Sequence, residues 1–200
     1  MKPLRGLASG ADAITRCTTA IQGPILLVGH SGGGAAIFQA PQAVKHVKGP
    51  LSCPPSPLDR GESYATVQEL FPPPLAATTG IAGSYDAPGA AGGPNLFSRV
   101  ADFHRAFCAD LPEAVAAPMA VSQRPLSAAA PIEKAISVGR RSLPTRFLVG
   151  KEDQAISPEC QRFMANRIQA TTEPVDGSRA ALIAHPNIAG ALLGKAVATT

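Results

Sequence analysis

The sequence predicts an α/β fold: a mostly parallel sheet with flanking helices and a small helical cap, in a single domain over residues 1–200 whose cap region lies at about 54–130. Three observations lead there. A loosely helical stretch at 8–22 ends at Gly23-Pro24 and gives way to a short apolar run at 24–28, which reads as a buried strand. That strand stops at a glycine-rich turn, after which residues 35–43 continue as a helix. Far downstream the same rhythm returns, with a strand at 145–149 and a helix at 158–170, and alternation of this kind marks a parallel sheet covered by helices.

The turn after the first strand organises the rest. Residues 23–34 read Gly-Pro-Ile-Leu-Leu-Val-Gly-His-Ser-Gly-Gly-Gly, and Gly29-His30-Ser31-Gly32-Gly33 fits the G-x-S-x-G nucleophile elbow. A serine on a tight strand-to-helix turn needs neighbours without Cβ atoms where the two backbones approach. The N-terminal N–H groups of the following helix favour negative charge near such a serine. Glycine-rich turns between a strand and a helix also hold phosphates, but no Lys-Ser or Lys-Thr follows these glycines, as a Walker-type loop requires.

The other elements follow in order. Residues 44–53 form the next strand, a weak one because Gly49-Pro50 interrupts it and proline has no N–H for the ladder. Residues 54–61 are a proline-rich loop and 62–70 a short helix. Residues 72–94, dominated by proline, glycine and alanine, are expected as an irregular excursion, since they lack the large apolar groups that offset chain ordering. Leu96, Val100, Phe103 and Phe107 then recur at helical spacing, and a second helical segment at 111–122 is broken at Pro118. These form the cap, where Phe103 and Phe107 serve either as ordinary packing or as an apolar substrate wall. Ser157 is a natural N-cap for the helix at 158–170, with Pro158 at its first position. Residues 171–175 are a polar outer strand, 176–179 a turn, and 187–198 a closing apolar helix.

Composition sets the outer limits. The 200 residues carry 18 Lys and Arg against 14 Asp and Glu, a net charge of +4 with the basic residues scattered and no interleaved aromatics. That excludes a nucleic-acid footprint. Cys17, Cys53, Cys108 and Cys160 make no C-x-x-C pair, which argues for reduced thiols in a cytoplasmic setting over a disulfide or zinc framework. Residues 6–15 are too polar for a signal-peptide core, and no apolar run approaches membrane-spanning length.

Taken together, four stretches resemble the α/β-hydrolase superfamily, specifically bacterial esterase-like members related to plant methylesterases and hydroxynitrile lyases. They are residues 23–34, residues 103–112 (Phe-His-Arg-Ala-Phe-Cys-Ala-Asp-Leu-Pro), Gln123-Arg124-Pro125-Leu126, and residues 148–165 with their Gly-Lys-Glu-Asp-Gln-Ala-Ile. The resemblance implies Ser31 as nucleophile, Asp153 as catalytic acid and the Gly32 N–H as an oxyanion donor, acting on a small ester without metal or organic cofactor. Outside that resemblance, Asp153 reads as a solvated turn aspartate.

Two departures stand against full activity. In the family pattern a Ser-His-Ala-like segment follows the last strand, whereas this chain has Ser178-Arg179-Ala180. Arginine keeps its proton at any ordinary pH, so Arg179 can hold a carboxylate but cannot act as general base, and the expected consequence is an Arg179–Asp153 ion pair. His185, six residues on, is the one substitute base within reach, and a helix-start histidine is the plainer reading. The second departure is at the front: nothing before Gly23 resembles the family's opening strands with their His-Gly oxyanion loop, so the fold is expected to be partial. The run at 24–28 then becomes an exposed sheet edge, a site for self-association or a source of poor stability. The chain thus reads as esterase-type with an incomplete triad and weak or absent turnover, or else as a non-catalytic binding protein or a truncated gene product keeping a remnant of the fold.

Overall fold

The computed structural model describes residues 6–40, 46–53, 57–84, 94–136 and 143–198. Four parallel strands make the main sheet: β1 (Ile25–His30), β2 (Val47–Cys53), β6 (Arg146–Gly150) and β7 (Thr171–Val175), in spatial order β1-β2-β6-β7. The sheet is covered on both faces. Phe147 and Val149 of β6 pack with Phe38 of α2 (Gly32–Gln39) and Ala165 of α7 (Pro158–Arg167). Leu148, on the opposite face as strand alternation requires, packs with Val175, Ala181 of α8 (Ala181–Ala184) and Leu192 of α9 (Pro186–Val197). β6 is therefore covered on both faces, with Phe147 and Leu148 at 0% exposure.

Helix α1 (Leu7–Thr19) lies against α2, so closely that a Cβ on Gly10 would come within 2.9 Å of the Ala36 methyl. No side chain of its own sequence caps its N-terminus. The Glu133 carboxylate does so instead, accepting from Leu7 N at 2.6 Å and Ala8 N at 3.0 Å, which places a negative charge at the positive end of the helix. Leu7, Ala35, Leu58, Val67, Ile156 and Met164 form a core cluster that joins α1, α2, α3 (Tyr64–Gln68) and α7.

Several elements differ from the sequence expectation. β2 runs unbroken through Gly49-Pro50 because β6 pairs with it only from Leu51 onward, so Pro50 is paired on one side alone, to Leu27 of β1. Residues 75–83 are regular, forming α4 (Leu75–Thr79) and β3 (Gly80–Gly83), while 85–93 of the expected excursion lie outside the described residues. Leu96 belongs to β4 (Asn95–Ser98), not to the helix, which starts later as α5 (Val100–Phe107). Pairing of β3, β4 and β5 (Leu126–Ser127) adds a three-stranded antiparallel sheet to the cap helices. Helix α6 (Glu113–Val121) continues through Pro118. One backbone hydrogen bond is forgone there, offset by burial of Ala116 and Ala120 against Phe103 and Leu111. The helix at 158–170 ends at Arg167, and Ser157 caps it by accepting from Cys160 N at 3.2 Å.

The edges of the sheet are as expected. β7 is one outer strand, with Pro174 tolerated there, and β1 is the other, paired among the described residues only to β2, with Val28 51% exposed.

Candidate active site

Three strand ends meet at one edge of the sheet. Ser31 follows β1, Asp153 follows β6 and Arg179 follows β7, all at carboxyl ends, where parallel sheets present ligand sites. Ser31 has φ 56° and ψ −127°, a backbone conformation that costs a non-glycine residue about 1–3 kcal/mol and marks functional turns. Gly29 makes that turn possible, because a Cβ there would sit 2.7 Å from the Gly34 nitrogen and 2.8 Å from its Cα. Gly33, the last glycine of the motif, does not share this role: a Cβ on Gly32 or Gly33 would meet nothing within 4 Å.

Asp153 is buried, and each hydrogen bond to its carboxylate comes from an N–H donor. Oδ1 accepts from Ala155 N at 2.7 Å and Ile156 N at 2.9 Å, and Oδ2 accepts from Gln161 Nε2 at 3.0 Å. It is therefore not a solvated turn residue. Gln161, fully buried, is the residue sequence reasoning missed. It holds Asp153 while donating to Ile156 O at 2.8 Å and accepting from Gly150 N at 3.2 Å. A glutamine one turn into a helix carries no signal of such a task.

The loops carrying Asp153 and Arg179 are fastened to each other. Lys151 N donates to Val175 O at 2.9 Å and Glu152 N to Gly177 O at 3.1 Å. Gly150 admits this approach, since a Cβ there would lie 2.9 Å from both the Gly177 and Ser178 carbonyl oxygens. Arg179, 7% exposed, then reaches across the site. Its Nη1 lies 3.4 Å from Asp153 Oδ2 and its Nη2 donates to Ser31 Oγ at 2.5 Å. The ion pair expected from sequence is present, and the same guanidinium holds the serine hydroxyl as well.

The histidines lie elsewhere. His30 Nε2 is 3.0 Å from the Arg179 backbone oxygen. Its pKa is lowered from 6.5, first by the partial loss of water around the ring and then by the Arg179 charge, although the residue as a whole stays exposed. His104 bonds to Leu111 O at 2.8 Å within the cap. His185 faces Asp110, with Nε2 3.6 Å from Oδ2, and Asp110 in turn accepts from Ser178 N at 2.9 Å and from Ser178 Oγ. The expectation of His185 as substitute base thus meets a different partner: it joins the cap loop to the turn before α8. Phe103 and Phe107 stack at 5.2 Å, and the cluster they belong to includes Ala180, next to Arg179.

Burial also tunes two neighbours of the site. Tyr64, whose hydroxyl donates to Gln68 Oε1 at 3.0 Å, has its phenol pushed up by desolvation and stays neutral. Cys160, fully buried beside the N-cap of α7, is raised to about 11 by the same cause, so it is a thiol and not a thiolate. Among the described residues no group of three or more His, Cys, Asp or Glu is placed to hold a metal, and no helix is long and apolar enough to cross a membrane.

Known structures share this architecture. Polyneuridine aldehyde esterase superposes with a TM-score of 0.77 at 14% identity, covering 96% of this chain and 80% of that one. A pyrethroid hydrolase from Sphingobium faniae JZ-2 gives 0.75 at 18% identity, covering 98% and 79%. A methylesterase from Arabidopsis gives 0.74 at 12% identity, covering 99% and 80%. At these identities the likeness establishes the fold, of which this chain spans about four fifths. No curated protein sequence matches it. The sequence model "Alpha/beta hydrolase family", however, matches residues 3–186, and with the elbow and strand order described above the chain belongs to the alpha/beta hydrolase family.

Proposed function

We propose that this chain descends from esterase-type serine hydrolases and that its site turns over small esters weakly or not at all, with Ser31 and Asp153 retained and Arg179 in the place of the base. The observation that carries the reading is the Arg179 guanidinium lying against both Ser31 Oγ and Asp153 Oδ2. A serine hydroxyl becomes nucleophilic when a neighbouring imidazole accepts its proton, and a carboxylate orients that imidazole. Here the group in the middle is a permanent donor. It occupies a lone pair of Ser31 and has nowhere to put a proton.

Removal of the histidine of a serine triad lowers turnover on the order of 10⁶-fold. The Gly32 N–H, at the first position of α2, is available as one oxyanion donor; loss of the second donor would cost roughly a further 10²–10³, though losses within one constellation do not add. Among the described cysteines, Cys17, Cys108 and Cys160 are free thiols, which supports a cytoplasmic setting. The partner in this reading is a small ester-like molecule, not nucleic acid.

A second reading, a binding protein without turnover, is favoured by one specific feature: the guanidinium that meets Ser31 Oγ is a donor and accepts no proton. Fluorophosphonate labelling followed by mass spectrometry separates the two. The leading proposal expects negligible labelling of Ser31 in the folded wild-type chain and measurable labelling after Arg179→His. Rapid labelling of the wild type at Ser31 overturns the incomplete-triad reading. An Arg179→His variant that folds and stays inert favours the binding reading.

A further inference from the structure

We infer that the cap and Arg179 work as one latch: Asp110, on the cap loop between α5 and α6, holds the turn that presents Arg179, so that cap closure keeps the guanidinium on Ser31 and cap opening loosens it. The inference rests on the incomplete-triad reading and gives that site its regulation.

The contact joins two segments that are 68 positions apart. Ser178 N donates to Asp110 Oδ2 at 2.9 Å and Ser178 Oγ donates to Asp110 Oδ1, so a single residue of the turn engages both oxygens of the cap carboxylate. Hydrogen bonds to an ionised acceptor are the strong ones, and the Asp110 side chain is only 12% exposed. Ser178 Oγ also lies 3.0 Å from the Phe107 carbonyl oxygen at the end of α5 and accepts from Ala180 N at 3.0 Å. Ala180 in turn packs with Phe103, Cys108 and Leu111 of the cap. Both sequence neighbours of Arg179 are thus fastened to the cap.

The ends of this short segment belong to the core. Gly177 O accepts from Glu152 N at 3.1 Å, and Ala181 packs with Leu148 and Val175. Between those fixed points, the cap and the His30 contact with Arg179 O position residues 178–180. A few residues held at both ends, with a removable clamp in the middle, make the kind of two-state element that can couple distant parts. The seat of the clamp is tight: a Cβ on Gly177 would lie 2.9 Å from Asp110 Oδ2 and 3.0 Å from His185 Nε2. His185, at the head of α9, closes the seat with its ring, Nε2 buried 3.6 Å from Asp110 Oδ2 and without a hydrogen bond.

The test is hydrogen exchange of the full chain read by mass spectrometry, with the Arg179 guanidinium followed by NMR in the same samples. Asp110→Asn turns one acceptor oxygen into a donor that faces another donor, and Ser178→Ala removes the hydroxyl. Each variant is expected to speed exchange about tenfold or more in residues 100–121 and 177–182, the size that loss of a hydrogen bond to a charged group sets, while the amides of β6 keep wild-type rates. The Arg179 Nη protons, held by Ser31 and Asp153, are expected as separate resonances in the wild type and as merged ones in both variants. Gly177→Ala, which crowds the seat and leaves both polar partners in place, is expected to reproduce the two changes. Faster exchange throughout β6 as well as the cap overturns the inference, as does a cap that opens while the Arg179 resonances stay separate, or wild-type rates in all three variants. Fluorophosphonate labelling is scored separately: rapid labelling of Ser31 in the wild type removes the incomplete-triad reading, whereas the exchange pattern decides the latch.

Discussion

Replacement of Arg179 by methionine isolates the central ion pair. At 3.4 Å and an effective dielectric of about 20, the gross attraction between Arg179 and Asp153 is about 5 kcal/mol. Deleting one partner of a buried pair costs about 3–5 kcal/mol, because the other charge is left in place without compensation. Asp153 keeps three donors, from Ala155, Ile156 and Gln161, which puts Arg179→Met at the low end, about 3 kcal/mol. For 200 residues that corresponds to a Tm lower by about 6–12 °C. Urea unfolding followed by circular dichroism gives the free energy, and calorimetry the Tm. Asp153→Asn and the double variant complete a cycle whose coupling energy is expected at about 1–3 kcal/mol. An Arg179→Met protein within 0.5 kcal/mol of wild type by these measurements, or a double variant that is strictly additive, would refute the pairing on which the site argument stands.

Three further outcomes follow from the same geometry. Gly29→Ala places a Cβ 2.7 Å from the Gly34 nitrogen, backbone that cannot swing aside, so a loss of about 3 kcal/mol in urea unfolding is expected; a neutral substitution would show that strand and helix are not in contact there. His30 has its pKa lowered in the folded state, so the unfolded chain binds that proton more readily. Its contribution to stability is present above pH 6.5 and declines as pH falls below it, and His30→Gln should flatten that slope in stability measured between pH 7 and pH 5, with an unchanged slope counting against it. Finally, β1 is an edge strand with Val28 exposed, so sedimentation at increasing concentration should show self-association that Val28→Lys reduces; a wild type that remains monomeric at every concentration removes this proposal.

Local chemistry made much of the architecture legible. An apolar run followed by Gly-x-Ser-x-Gly dictates a strand-to-helix turn, and Ser157-Pro158 announces a helix start by capping and by a preset φ. The weak points were of two kinds. Residues 75–83 and the first part of the cap read as irregular or helical because short antiparallel strands of four residues or fewer, such as β3 and β4, take their stability from pairing with distant partners and leave little periodicity in sequence. By propensity Pro50 and Pro118 are interruptions, and each is accommodated by its neighbours: Pro50 where only one flank is paired, Pro118 where buried alanines offset a missing bond.

By itself the sequence determined that a serine would stand on a strained turn after the first strand and that position 179 carries an arginine, unable to accept a proton, since both follow from the identity of single residues within short motifs. Only the tertiary structure decided where those groups point. Residues separated by 148 positions meet because parallel strands deliver their carboxyl ends to one edge. A buried glutamine, Gln161, holds Asp153, and Asp110 engages His185. Such contacts arise from packing between distant segments, and no local pattern encodes them.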